Sequence, residues 1–337
     1  QLSAMISAGV PILRALSALS EHVSDSPALK SILSGVIKEV EAGATFGDAL
    51  SKYPTTFNDI YVNMVRAGEA AGILDDVLKR LALQQEKSSK MRKKIKSAMM
   101  YPMVLLVITF ASFFGLMLFI VPMIEGIVKD LGGEDARLPA LTEVMINISH
   151  FMVNYWYVFI FGTGLLVYGT MLYIKTPSGK YNFHRLILSI PILKKVIIKI
   201  VIARFTRTFS ALVEAGVPVL AALTVTSRAV GNRVYEKAIM AAEEDVKNGK
   251  TLSKVIGANP LFPPIVAQML SVGEETGQTD KVLVKVADFY EEEVDMAIEG
   301  LGAIIEPIMI VIMGGMVGLI AASVMLPIAG MATNIKG

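Results

Sequence analysis

The stretch SVGEETGQTDKVL, residues 271–283, sets two adjacent acids between two glycines in an otherwise apolar chain, and RAGEAAGILDDVL, residues 66–78, repeats its pattern. Gly68, Glu69, Gly72 and Asp75 align with Gly273, Glu274, Gly277 and Asp280. Working outward, SAGVPILRAL at 7–16 returns as EAGVPVLAAL at 214–223, and Pro102 and Pro122 correspond to Pro307 and Pro327 at the offset of the acidic motif. Self-similarity at a nearly fixed offset marks a duplicated structural unit, so each copy is expected to be a polar helical stretch of roughly 100 residues ending in one apolar helix. The alignment sets Gln1 against Thr208, so the first copy is expected to start in mid-helix and the chain to be truncated at its amino end.

Helical spacing runs through both copies. Leu212, Val213, Val217, Leu220 and Leu223 recur at helical intervals, as do Val282, Leu283, Val286, Ala287 and Tyr290, and strand alternation is absent. Pro11 and Pro218 each follow Gly-Val, which reads as a turn with proline opening the next helix. Breaks at Ala42-Gly43, Asn248-Gly249 and Asn259-Pro260 cut the copies into short helices, for which a small antiparallel bundle is the natural packing.

With 53% hydrophobic and 18% charged residues, the chain is more apolar than an average soluble protein, and a membrane reading leads. Three windows are long enough to span a bilayer, at about 99–124, 151–174 and 308–328, with no cleavable signal expected ahead of them. The first is preceded by Lys87, Lys90, Arg92, Lys93, Lys94 and Lys96, and followed by the acid-rich EGIVKDLGGEDAR. That bias places the amino end in the cytoplasm. If both copies start in the cytoplasm and end in an outward span, the unpaired second span is the return crossing, and the carboxyl end lies outside. The expected architecture is all-α and integral to the membrane. Its parts are a cytoplasmic bundle 1–96, a span 97–125, a periplasmic loop 126–150, a span 151–174, a second cytoplasmic bundle 175–300, a span 301–331 and a periplasmic tail 332–337.

The acidic motif admits more than one reading. Gly68 and Gly273 are expected to end one helix with positive φ, Gly72 and Gly277 to permit a tight reversal, and Asp280 or Thr279 to cap the next helix. Alternatively, Glu69, Glu274 and Glu275 form an exposed acidic contact for a cytoplasmic partner, or belong to a metal site or a general acid. In the last span Gly314, Gly318 and Ala322 make one smooth face, either for packing within the subunit or as a seam between subunits or against a pilin helix. Glu306 enters a membrane span, where an acid is costly unless it sits at the interface or receives a partner's charged terminus. The basic run 87–96 stands where the second copy has Glu291, Glu292, Glu293, Asp295 and Glu299, so these two juxtamembrane helices are expected to face one another.

Several chemistries fail on inspection. There is no cysteine, and His22, His150 and His184 belong to no HExxH or HxH pattern, so neither a metal nor a cofactor is expected. NGKTLSK carries Gly-Lys-Thr, but Glu244 occupies the position of a phosphate loop's first glycine, and GTG at 162–164 lies in an apolar span. The net charge of +2 points to no nucleic-acid partner.

IARFTRTFSALVEAGVPVLAAL, PLFPPIVAQMLSVGEETGQTDKVLVKVADFYEEEVD and IEPIMIVIMGGMVG, with Glu306-Pro307 inside the last, resemble the second half of the inner-membrane platform proteins of type IV pilus and type II secretion machines. The resemblance covers nearly the whole chain. It implies a non-enzymatic subunit of the bacterial inner membrane that joins a cytoplasmic hexameric assembly ATPase, and a retraction ATPase where one exists, to pilins or pseudopilins. Other inner-membrane assembly proteins and self-association, at least as a dimer, are implied as well. Pilus assembly is the reading taken, type II secretion is the alternative, and a secondary transporter is a remote one.

Overall fold

A computed structural model describes residues 1–23, 26–132 and 140–334, and every regular element among them is helical. In order they are α1 (Leu2–Ser7), α2 (Ile12–His22), α3 (Pro27–Glu41), α4 (Phe46–Ser51), α5 (Asp59–Ala71), α6 (Leu74–Gly115), a π-helical turn (Leu116–Ile120), α7 (Val121–Gly132), α8 (Ala140–Asn154), α9 (Trp156–Lys175), α10 (Pro177–Ser189), α11 (Pro191–Glu214), α12 (Val219–Ala229), α13 (Arg233–Lys247), α14 (Leu252–Gly257), α15 (Pro264–Thr276) and α16 (Thr279–Asn334). Helices α2 to α5 have 11, 15, 6 and 13 residues, and α12 to α15 have the same lengths in the same order.

The helix boundaries follow from local chemistry. Ser26, Thr45, Asn58 and Asn232 each accept a hydrogen bond from a backbone N–H in the first turn of α3, α4, α5 and α13. Pro11 and Pro218 occupy the N-cap positions of α2 and α12 in nearly identical extended conformations, with φ −56° and −54°. Gly72 and Gly277 terminate α5 and α15 in the left-handed region, at φ 71° and 67°, where a Cβ would be strained. Gly68 and Gly273 do not. The expectation that they end helices is corrected, because both lie inside α5 and α15 and serve close packing instead. A Cβ on Gly68 would stand 2.7 Å from Val77 Cγ2, and one on Gly273 would stand 2.7 Å from the Thr279 Cα.

The chain divides into two compact units, residues 1–93 with 181–297, and residues 94–180 with 298–337. The two stretches that align in sequence therefore share the first unit, where α5 packs on α11 and α12. Its buried side chains include Leu16, Phe46, Leu50 and Met64 from one stretch and Phe205, Phe209, Leu212 and Leu223 from the other. Phe205 stacks on Phe209 at 5.8 Å and meets Phe262 edge-on at 5.6 Å, while Tyr235 packs on Phe262 and donates its hydroxyl to the Leu261 carbonyl at 2.7 Å. Burial pushes the Tyr235 phenol well above its ordinary pKa, with the charge of Tyr290 adding to the effect.

The second unit holds the apolar helices. Met117, Val121, Met145, Ile146, Met152 and Ile320 form its core. The π-helical turn has a carbonyl to satisfy, and Ser149 donates its hydroxyl to the Met117 oxygen at 2.7 Å. Thr142 donates likewise to the Ser323 carbonyl at 2.8 Å. Glu125, 8% exposed, pairs with His150 Nε2 at 2.6 Å. These contacts come from the segment 126–150, which reads from sequence as a loop. Instead α7 continues to Gly132 and α8 starts at Ala140 and packs on α7 and the π-helical turn. Residues 133–139 lie outside the described set.

Two helical stretches, Leu74–Ile127 and Thr279–Ser323, are long and apolar enough to cross a membrane. Their large side chains are turned outward, as at Phe119 and Val311, which are 74% and 73% exposed. Fully burying such a side chain is worth about 1.5–3 kcal/mol, so an aqueous setting would leave a large stabilisation unrealised. The 20-residue α9 also turns Phe161 and Leu165 outward.

Candidate functional site

Glu69 and Glu274, the aligned acids of the repeated motif, reach the starts of neighbouring helices. Short helices leave a large share of their N–H groups unpaired, and α4 has only six residues. Glu69, on α5, accepts the N–H of Phe46 at 2.8 Å with one carboxylate oxygen and that of Gly47 at 3.1 Å with the other. Thr45 accepts the next, from Asp48, at 3.1 Å, so the first three N–H groups of α4 are all satisfied. Glu274 does the equivalent at α14 more loosely: both oxygens share the Ser253 N–H, at 3.3 and 3.4 Å, and one also accepts the Ser253 hydroxyl. Glu275 accepts the Ser271 hydroxyl and is exposed.

The charged faces meet in a lattice of ion pairs within the first unit. Arg207, on α11, forks onto α16, donating from Nε to Glu291 at 2.8 Å and from Nη2 to Asp288. Lys87, on α6, reaches the same two acids at 3.0 and 3.1 Å. Lys199 pairs with Glu293 at 2.6 Å, and Arg80 pairs with Glu214. Burial alone would raise the Asp288 carboxyl, but hydrogen bonds from Arg207 and Lys87 outweigh it and hold the group below the usual carboxylate range. Burial likewise opposes the Arg207 charge, and Glu291 and Asp288 reverse that effect. The expected facing of the basic run and the acidic helix is thus met at Lys87, and α11 supplies partners to Asp288, Glu291 and Glu293 as well. The signal was present in IARFTRTF, where Arg204 and Arg207 interrupt a run of buried residues.

The remaining candidates lie on the second unit's part of α16. Glu306 is exposed, as are Gly314 and Gly318, with nothing within 4 Å of where a Cβ on either glycine would stand; Ala322 is half-buried. No group of three His, Asp or Glu side chains able to hold a metal occurs among the described residues.

The described residues thus define an all-helical fold, two of whose helices have the length and composition to cross a membrane. The chain belongs to the type II secretion system (T2SS), protein F family, whose family model matches residues 1–122 and again 205–327. It is 37% identical over 336 residues to the type IV pilus assembly protein PilC of Myxococcus xanthus, covering 100% of this chain and 80% of that one. The PilC of Thermus thermophilus is 40% identical over 329 residues, covering 97% of this chain and 80% of the relative. The type II secretion system protein F of Vibrio cholerae is 31% identical over 331 residues, covering 98% and 80%.

Proposed function

We propose that the chain is a non-enzymatic platform of the bacterial inner membrane that couples a cytoplasmic hexameric ATPase to the assembly of type IV pilins. The observation that carries this reading is the similarity along essentially the whole chain to proteins named for pilus assembly. Pseudopilus assembly for secretion is the second reading. It is supported by the secretion relative, whose lower identity favours the pilus. The platform consists of two copies of one helical bundle, a duplication supported by the matched helix lengths of α2–α5 and α12–α15 and by the two stretches that match one family model. Three spans, within α6, α9 and α16, hold it in the membrane, with the amino end cytoplasmic and the carboxyl end periplasmic. The charge bias of the flanks supports that orientation.

In this reading the ion-pair lattice and the acid-capped short helices keep the bundle stiff while an ATPase loads it, and Glu275 and Glu306 stay exposed for partners. Deleting the chain should leave pilin levels and purified ATPase turnover intact while abolishing filaments, and a cross-linked complex should contain the chain at least as a dimer. Filaments at normal number in the deletion strain would overturn the proposal.

A further inference from the structure

The first unit carries an open cavity of about 640 Å³ lined by α5, α6, α11, the end of α12 and Glu291 of α16. Five cationic side chains line it against two carboxylates, Asp59 and Glu291. Three of the five are neutralised. Arg228 pairs with Asp59 at 2.8 Å, and Lys87 and Arg207 are taken by Glu291 and Asp288. Arg92 and Arg204 have no carboxylate partner among the described residues. Arg204 lies against Gly231, its Nη1 2.7 Å from where a Cβ would stand. Burial first, and then the like charge of Arg92, draw the Arg204 guanidinium below its ordinary pKa.

A fold gains nothing by bringing two guanidinium groups together and partly desolvating one of them. An anion between them relieves both costs, and the planar forks of arginine suit phosphate oxygens in particular. The volume falls within the range of small-ligand sites, roughly 300–1,000 Å³. We propose that this cavity is a binding site for a phosphate-bearing ligand, seated on Arg92 and Arg204. Two sources share that chemistry. One is a soluble phosphate compound of nucleotide size, and the other is the headgroup of an anionic lipid such as phosphatidylglycerol, which Arg92 could meet because it shares α6 with the apolar run that opens at Met99.

The inference does not depend on the pilus reading. The test uses the full chain in nanodiscs of phosphatidylcholine, titrated calorimetrically with inorganic pyrophosphate, and repeats the titration in nanodiscs that also contain phosphatidylglycerol. Binding in the first is expected to weaken on the order of tenfold in Arg204→Gln and in Arg92→Gln, and to stay unchanged in Arg66→Gln, which lies outside the cavity. Because Arg92 is exposed, its variant keeps the test valid if Arg204→Gln misfolds. Undiminished binding in the phosphatidylglycerol discs assigns the site to a soluble ligand; competition there assigns it to the lipid. No pyrophosphate binding in phosphatidylcholine discs, equal binding by wild type and both variants, or binding of an acidic peptide in place of pyrophosphate overturns the proposal.

Discussion

Replacing Glu69 by alanine removes the only side-chain acceptor described for two of the three leading N–H groups of α4. Hydrogen bonds to a charged group contribute about 1.5–3 kcal/mol each when shielded, and Glu69 is half-buried, so water recovers part of the loss. A net destabilisation of about 2 kcal/mol is expected, and about half of that for Glu69→Gln, which keeps one good acceptor. Glu274→Ala should cost less, about 0.5–1 kcal/mol, because its bonds to Ser253 N–H are longer and the carboxylate is exposed. The effect is local, since α4 opens as one short segment, so the sharpest assay is hydrogen exchange of the full chain in nanodiscs. Exchange at Phe46 and Gly47 should quicken about 30-fold in Glu69→Ala, the equivalent of 2 kcal/mol, with α14 unaffected. Unchanged exchange at both amides, or a larger loss from Glu274→Ala than from Glu69→Ala, would refute the capping argument. If either variant lost a protein partner with exchange unaltered, the acids would be surface contacts after all.

Three further outcomes follow from the geometry. Gly68→Ala drives a methyl into buried Val77 and should cost about 1 kcal/mol in chemical denaturation, overpacking being partly offset by helix propensity; Gly273→Ala should cost more, because the Thr279 backbone cannot step aside as a side chain can. Asp288 has a folded pKa below its unfolded value, so its stabilisation is complete above about pH 4 and is lost as pH falls through the depressed folded value. The thermal midpoint should therefore drop more steeply with acid in the wild type than in Asp288→Asn over that window. Ser149→Ala strips the π-helical turn of its donor and should destabilise the second unit by about 1 kcal/mol in a membrane-embedded unfolding assay, whereas Ser149→Thr should retain most of the stability.

Much of this fold is legible in the residues, for reasons that are local. Helical periodicity at Val282–Tyr290 identifies part of α16, whereas the set from Leu212 to Leu223 is split between α11 and α12 by the Gly-Val-Pro step, which fixes where α2 and α12 begin because proline's φ and the turn before it are properties of the chain itself. The helix ends fall at Gly72 and Gly277 and not at Gly68 and Gly273, where the sequence reading puts them, because a glycine needed for close approach looks like a glycine needed for positive φ. What escapes is long-range. Glu69 reaches back 23 residues to cap α4, and Arg207 reaches 81 residues forward to Asp288, contacts that no local pattern announces. The helix α8 was hidden for another reason, being only 15 residues and flanked by acidic and polar segments that read as a loop. The pairing of Arg92 with Arg204 in one cavity is visible only once α6 and α11 are packed together.

The central claim is that both copies of the bundle lie in the cytoplasm, joined by a return crossing, with the carboxyl end on the far side of the membrane. Because the chain has no cysteine, single cysteines can be introduced at Ser51, Lys250 and Lys336 and challenged in intact cells with a membrane-impermeant maleimide. The account predicts labelling at position 336 alone, with 51 and 250 reacting only after the inner membrane is breached. Labelling of position 250 in intact cells, or protection of position 336 until lysis, would contradict it.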